Sequence, residues 1–320
     1  MFDTCLDSRP EGNVIRAYFL RRLAYSIITL FVLATTIFGL VRLTGDPAIL
    51  LTPEGATQEE RVQIREDLGL NDALPVQFGR FIGEVVTLDF GTSFHLGQSV
   101  TKVYFDRLPH SILLVTAAML FALALGIPAG IISAVFNGRW MDYASKGLAL
   151  TGMSIPGFVM ALTMMYFFSV KFSWLPTFGT GTWKHLIMPA IALGWYFAAS
   201  TLRLVRSTML DVLSSDYVKL ARLKGMTERR VVMRHAFANV LIPLISLTGV
   251  NFVVMINAAT IVEVIFVWPG LGSLLLEAVG ERDFPLVQGI VVMSGTLIVI
   301  TNFLIDLIYA WVDPRIRLTR

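Results

Sequence analysis

Six stretches of this 320-residue sequence are long and apolar enough to cross a lipid bilayer. They cover roughly 23–41, 112–136, 146–170, 186–205, 241–261 and 286–311. A helix needs about 20 mostly apolar residues to traverse hydrocarbon. Backbone amides find no water there, so a helix that satisfies its own hydrogen bonds is the form such a stretch takes. Only 15% of the chain is charged, against about 25% in a soluble domain. The expected fold class is therefore an all-α polytopic membrane protein with about six transmembrane helices.

The basic residues set an orientation. With the N-terminus inside, the segments 1–22, 137–146, 203–240 and 312–320 are internal and hold 17 of the 26 lysines and arginines. The positive-inside rule then predicts both termini in the cytoplasm. The net charge of +3 reads as this topology signal and not as a nucleic-acid surface. The first apolar run follows Arg16, Arg21 and Arg22 and is too long for a signal-peptide core, so it is expected to stay as an uncleaved first span. Pro128, Pro156, Pro189 and Pro243 lie within or at the ends of spans and are expected to kink them.

Two outer connections stand out. Segment 42–111 is the long one and predicts an outer subdomain after the first helix. Thr57 and Glu60 form a capping box opening a helix that would stop near Gly69. A turn-rich patch, Asp89-Phe90-Gly91-Thr92-Ser93, follows. The second connection, 262–285, carries Trp268-Pro269-Gly270-Leu271-Gly272 and then three leucines. It fits either a gate element or an interfacial anchor, since tryptophan favours the membrane boundary.

The inner segment 211–240 carries the most specific pattern. It reads as a short helix, a break and a second helix. Ser215 or Asp216 is placed to cap the first helix. Leu213, Tyr217, Leu220 and Ala221 share one face by helical spacing, with Lys219 and Arg222 pointing elsewhere. Lys224 suits the helix C-terminus, and Gly225 stands where a left-handed residue ends it. Thr227 is expected to cap the next helix, with Glu228 in its first turn and Arg229, Arg230, Arg234 and His235 following. Such an amphipathic elbow between two spans can transmit force, and its small and aromatic face suits a groove on a cytoplasmic partner. Basic residues at this surface also hold anionic headgroups.

This segment resembles the coupling loop of ABC-importer permeases of the dipeptide/oligopeptide family. The matching residues are Tyr217, Val218, Ala221, Arg222, Lys224, Gly225, Glu228, Arg229, Arg230, Arg234, His235, Ala236, Asn239, Leu241, Ile242 and Pro243. Lys219-Leu220-Ala221 stands where the general importer motif begins Glu-Ala-Ala. Gly45-Asp46-Pro47-Ala48, Ser154-Ile155-Pro156-Gly157-Phe158 and Asp313-Pro314-Arg315 match as well, so only about the first 15 residues fall outside the likeness. The resemblance implies a type I importer permease in the bacterial cytoplasmic (inner) membrane. It implies a second, homologous permease subunit, two ABC ATPase subunits that bind ATP and magnesium, and an extracytoplasmic peptide-binding protein. Cargo in the family includes dipeptides, oligopeptides, glutathione and nickel chelates.

The residues bear on other function classes. No phosphate-loop motif occurs, so energy must come from a partner or an ion gradient. Ser154 lies in a sequence that fails the nucleophile-elbow pattern, with Pro156 following where glycine is needed. Cys5 is the single cysteine, and His95, His110, His185 and His235 are scattered, so no cofactor or metal is expected in this chain. A gradient-driven carrier would need ionisable residues within spans. Asn302 with Asp306, and Glu263, are the candidates, read first as helix–helix hydrogen-bonding groups. Asn251, Asn257 and Ser154 are candidate pathway-lining residues, although Asn251 and Asn257 do not share a helix face.

Overall fold

A computed structural model describes residues 11–44, 62, 65, 66 and 69–312. The predicted capping box at Thr57 and Glu60, the Gly45–Ala48 motif and the terminal Asp313-Pro314-Arg315 lie outside the described residues.

The described elements are helical, apart from one antiparallel bridge between Thr92 and Ser99. They are α1 (Glu11–Thr44), α2 (Leu74–Thr87), α3 (Val100–Val135), α4 (Trp140–Ser154), α5 (Gly157–Lys171), α6 (Trp183–Leu213), α7 (Asp216–Leu223), α8 (Glu228–Ile265), α9 (Leu271–Gly280) and α10 (Phe284–Val312). Five of them are long and apolar enough to cross a membrane, and six crossings result if the bent pair α4–α5 counts as one. The third expected span, 146–170, is thus not one straight helix. It bends by 104°. Pro156 disfavours helical geometry at Ile155, which is extended at φ −90° and ψ 116°. Pro156 is extended too, and its carbonyl then accepts from Val159 and Met160 to start α5. The other three prolines lie inside α3, α6 and α8. Of the four, Pro156 is the one that stands at an interruption of its helix.

The chain forms two compact units, Met1–Val103 with Ala278–Arg320, and Tyr104–Glu277. In the first, α1 packs along α10, and Arg22 reaches Asp306 at 2.7 Å. Asp306 thereby bonds a neighbouring helix. Amphipathic α2 lies on α1 through Phe38, Phe78 and Phe81. A cavity of about 320 Å³ is lined by Phe38, Arg42, Gln77, Phe81, Glu84 and Phe90 among others.

In the second unit α6 is the most buried span. Glycines let its neighbours approach. A Cβ at Gly126 would stand 2.7 Å from the Ala198 carbonyl oxygen, and one at Gly152 would stand 2.5 Å from Ala199 Cβ. Small residues serve this purpose in lipid, where packing replaces the hydrophobic drive between helices. Leu114, Ala118, Met188, Phe197, Met255 and Phe266 lie in the main buried cluster.

Candidate functional site

The elbow between α6 and α8 is closed by a Schellman turn. Gly225 sits at φ +78°. Its N–H donates to Arg222 O at 2.9 Å, and Met226 N–H donates to Ala221 O at 3.3 Å. This pairing satisfies carbonyls that a helix end leaves free. Met226 then packs on Val218, Ala221 and Val231, joining the two arms. Arg222 spans the same turn, with Nε 3.1 Å and Nη2 2.7 Å from the two Glu228 oxygens. That pairing raises the Arg222 pKa further.

The faces of α7 differ from the predicted ones. Val218 and Ala221 are buried, whereas Tyr217 and Leu220 are exposed and continue into Leu223, which is 85% exposed. The second arm supplies Val231 on the inner side of the bend, which rotates the packing face by one residue. An apolar stripe of Tyr217, Leu220 and Leu223 is left exposed. Tyr217 is fixed at its tip, where its hydroxyl accepts from Asn239 Nδ2 at 3.0 Å.

The predicted caps are also modified. Ser215 and Thr227 occupy the N-cap positions, but neither side chain bonds the helix it precedes. Ser215 Oγ instead donates back to Val212 O at 2.5 Å. The Thr227 carbonyl accepts from Arg230 and Val231, so the backbone alone starts α8. Asp216 pairs with Lys219 at 2.9 Å. Lys224 is the exposed C-cap, and Arg229, Arg230 and Arg234 are exposed. His235 lies in a π-helical turn, Val231–Ala236, with Nε2 buried and without a hydrogen-bond partner.

The other candidates lie apart from the elbow. Ser154 is exposed at the α4–α5 bend. Asn251 is buried in α8, whereas Asn257 is exposed and bonds its own helix at Val253 O. Among the described residues no cluster of three or more His, Cys, Asp or Glu could hold a metal ion.

Three buried carboxylates organise the fold more than the spacing of residues revealed. Glu263 is 1% exposed and accepts from Ser111 Oγ at 2.6 Å and from Gly272 N–H at 2.7 Å, so it seats the start of α9. Trp268 beside it is buried and donates its indole N–H to His110 O at 2.9 Å. Trp268 is therefore packed inside this unit and is not itself an exposed boundary anchor. Asp283 caps α10 through Leu286 N–H at 3.2 Å and accepts from Ser93 Oγ at 2.5 Å. An aspartate just before a helix with proline in its first turn was the available signal. Asp142 gathers Ser133, Gly138, Lys146 and Arg206.

Comparison with known proteins gives the family. Residues 126–318 match the family described as the binding-protein-dependent transport system inner membrane component, and residues 15–115 match its N-terminal companion. The glutathione transport system permease protein GsiC of Salmonella paratyphi A (strain ATCC 9150 / SARB42) is 38% identical over 301 residues, covering 94% of this chain and 98% of that protein. GsiC of Escherichia coli (strain K12) is 36% identical over the same shares. The MetNI methionine ABC transporter in an inward-facing conformation shares the fold, with a TM-score of 0.56 at 16% identity over 66% of this chain and 96% of that one. An amino acid ABC transporter crystallised with histidines gives 0.53 at 17% identity, over 66% and 94%. The chain belongs to the binding-protein-dependent inner membrane permeases, the non-catalytic multi-pass subunits of bacterial ABC importers.

Proposed function

We propose that this chain is one pore-forming half of an importer for short peptides, with glutathione as its favoured cargo. The observation that carries the mechanism is the elbow. A rigid bend, closed by Gly225 and by the Arg222–Glu228 pair, presents Tyr217, Leu220 and Leu223 outward. This stripe fits a groove on an ATPase subunit at the cytoplasmic face. Closure of two ATPases around ATP and magnesium would push α7, and α6 and α8 would tilt with it. A second, homologous permease subunit completes the pathway, and an outer binding protein delivers the cargo. Both termini lie in the cytoplasm, in agreement with the basic residues of the inner segments.

The cargo assignment rests on the likeness to GsiC over nearly the whole of both chains. Dipeptides and longer peptides form the second reading, supported by the motifs of segment 211–240. The test is reconstitution in vesicles with the ATPases and the binding protein. ATP-dependent uptake of labelled glutathione, competed poorly by dipeptides, is the expected result. Preferential dipeptide uptake would reassign the cargo. Accumulation by the purified chain alone, driven by an ion gradient, would overturn the importer reading.

A further inference from the structure

We propose that Asp142 and Arg206 are positioning residues for transport. They fasten the α3–α4 turn to the arm of α6 that carries the elbow, so that these parts move as one lever. This inference rests on the importer reading above.

The Asp142 side chain is 0% exposed. Its Oδ1 accepts from Ser133 Oγ at 2.6 Å and from Arg206 Nε at 3.0 Å. Its Oδ2 accepts from Gly138 N–H at 3.0 Å, Lys146 Nζ at 2.7 Å and Arg206 Nη2 at 3.3 Å. Arg206 also donates to Ser133 Oγ at 3.0 Å and to Asn137 Oδ1 at 3.1 Å. One guanidinium thus ties the end of α3, the turn after it and the start of α4 to α6. Removing Arg206 forfeits two charge-assisted hydrogen bonds to this buried carboxylate, although Lys146, Ser133 and Gly138 still hold Asp142. Sliding α6 past this turn would do the same, so the parts resist separation.

The position of the cluster gives it a use. Arg206 lies in the last turns of α6, which ends at Leu213 before α7 starts at Asp216. A push on the elbow therefore reaches α4 directly. The far end of α4 is the break at Ile155 and Pro156, where backbone geometry leaves the helix. The lever ends at a pivot.

The test uses the complex with its ATPases and binding protein, in a Cys5→Ser background. Spin labels are placed at Trp140→Cys and Asp211→Cys, both exposed positions. The expected label distance is the same with and without ATP and magnesium, and its distribution broadens in Arg206→Gln. ATP hydrolysed per solute imported should rise about two- to thirtyfold in Arg206→Gln, the range for a loosened coupling element. Arg206→Lys, which keeps the charge and loses the fork, should fall between. Ser133→Ala and Asn137→Ala retain the ion pair and supply graded readings if Arg206→Gln does not assemble. A wild-type distance that shifts with nucleotide beyond the width of its distribution would overturn the lever. So would unchanged stoichiometry in an assembled Arg206→Gln complex. The broadening is read without nucleotide, so it judges the fastening even if the importer reading fails for want of ATP-driven uptake.

Discussion

Arg222 and Glu228 clasp each other across Gly225, two hydrogen bonds of 3.1 and 2.7 Å spanning the turn between α7 and α8. Both side chains are substantially exposed. Exposed pairs contribute only about 0.2–1 kcal/mol to stability. Arg222→Gln or Glu228→Gln should therefore leave the melting temperature nearly unchanged while slowing import, because the angle of the elbow loosens. The exchange Arg222→Glu with Glu228→Arg should recover part of the uptake rate. Initial rates in vesicles and detergent melting curves check both halves.

Gly225 holds φ +78°, with no neighbour within 4 Å of an added Cβ. Its requirement is thus conformational and not steric. Gly225→Val should introduce about 1–3 kcal/mol of local strain and uncouple ATP hydrolysis from import, with membrane insertion intact. Gly225→Asn, which tolerates the left-handed region, should be milder. Normal coupling in Gly225→Val would count against the assigned role of the turn.

Glu263 is the acceptor for the start of α9. Glu263→Ala leaves the N–H groups of Gly272 and Ser273 without it, at about 1–3 kcal/mol for each group stranded in the interior. A lower melting temperature is expected, with Glu263→Gln falling between. Gly270→Ala should also destabilise, since its Cβ would stand 2.2 Å from the Glu263 carboxyl. Thermal unfolding of the detergent-purified protein reads all three.

Burial raises the pKa of the Glu84 carboxyl, Asp89 adds to the rise, and Arg80 and Arg42 oppose it. A carboxyl whose folded pKa exceeds its unfolded value loses stability as pH climbs through that interval. Glu84→Gln removes the loss. The variant should melt higher than the parent at neutral pH and alike below the ordinary glutamate pKa. Melting curves across that range decide it.

Much of this was legible from spacing. The apolar runs located the crossings because lipid leaves the backbone few options. Gly225 announced the elbow because few residues other than glycine accept its geometry. What spacing could not supply was direction. Tyr217 and Ala221 belong to one helical face on paper, yet Val231, supplied by the other arm, decides that Val218 and Ala221 turn inward. Lys146 and Asp142 are a visible i, i+4 pair, but Arg206 joins them from a distant helix, and only the fold reveals it. Pro156 broke its span while Pro128, Pro189 and Pro243 did not.

The widened turn at Val231–Ala236 has a consequence for anyone editing this protein. Each residue of an α-helix advances the azimuth by about 100°. The π turn accommodates one residue more than an α turn, so deleting one residue there lets it relax to α with the side chains from Phe237 to Ile265 kept in register. The same deletion further along α8 would swing the side chains beyond it around the axis together, taking Glu263 away from Ser111, so chimeras that join related chains within α8 tolerate a change of length at this turn and not beyond it.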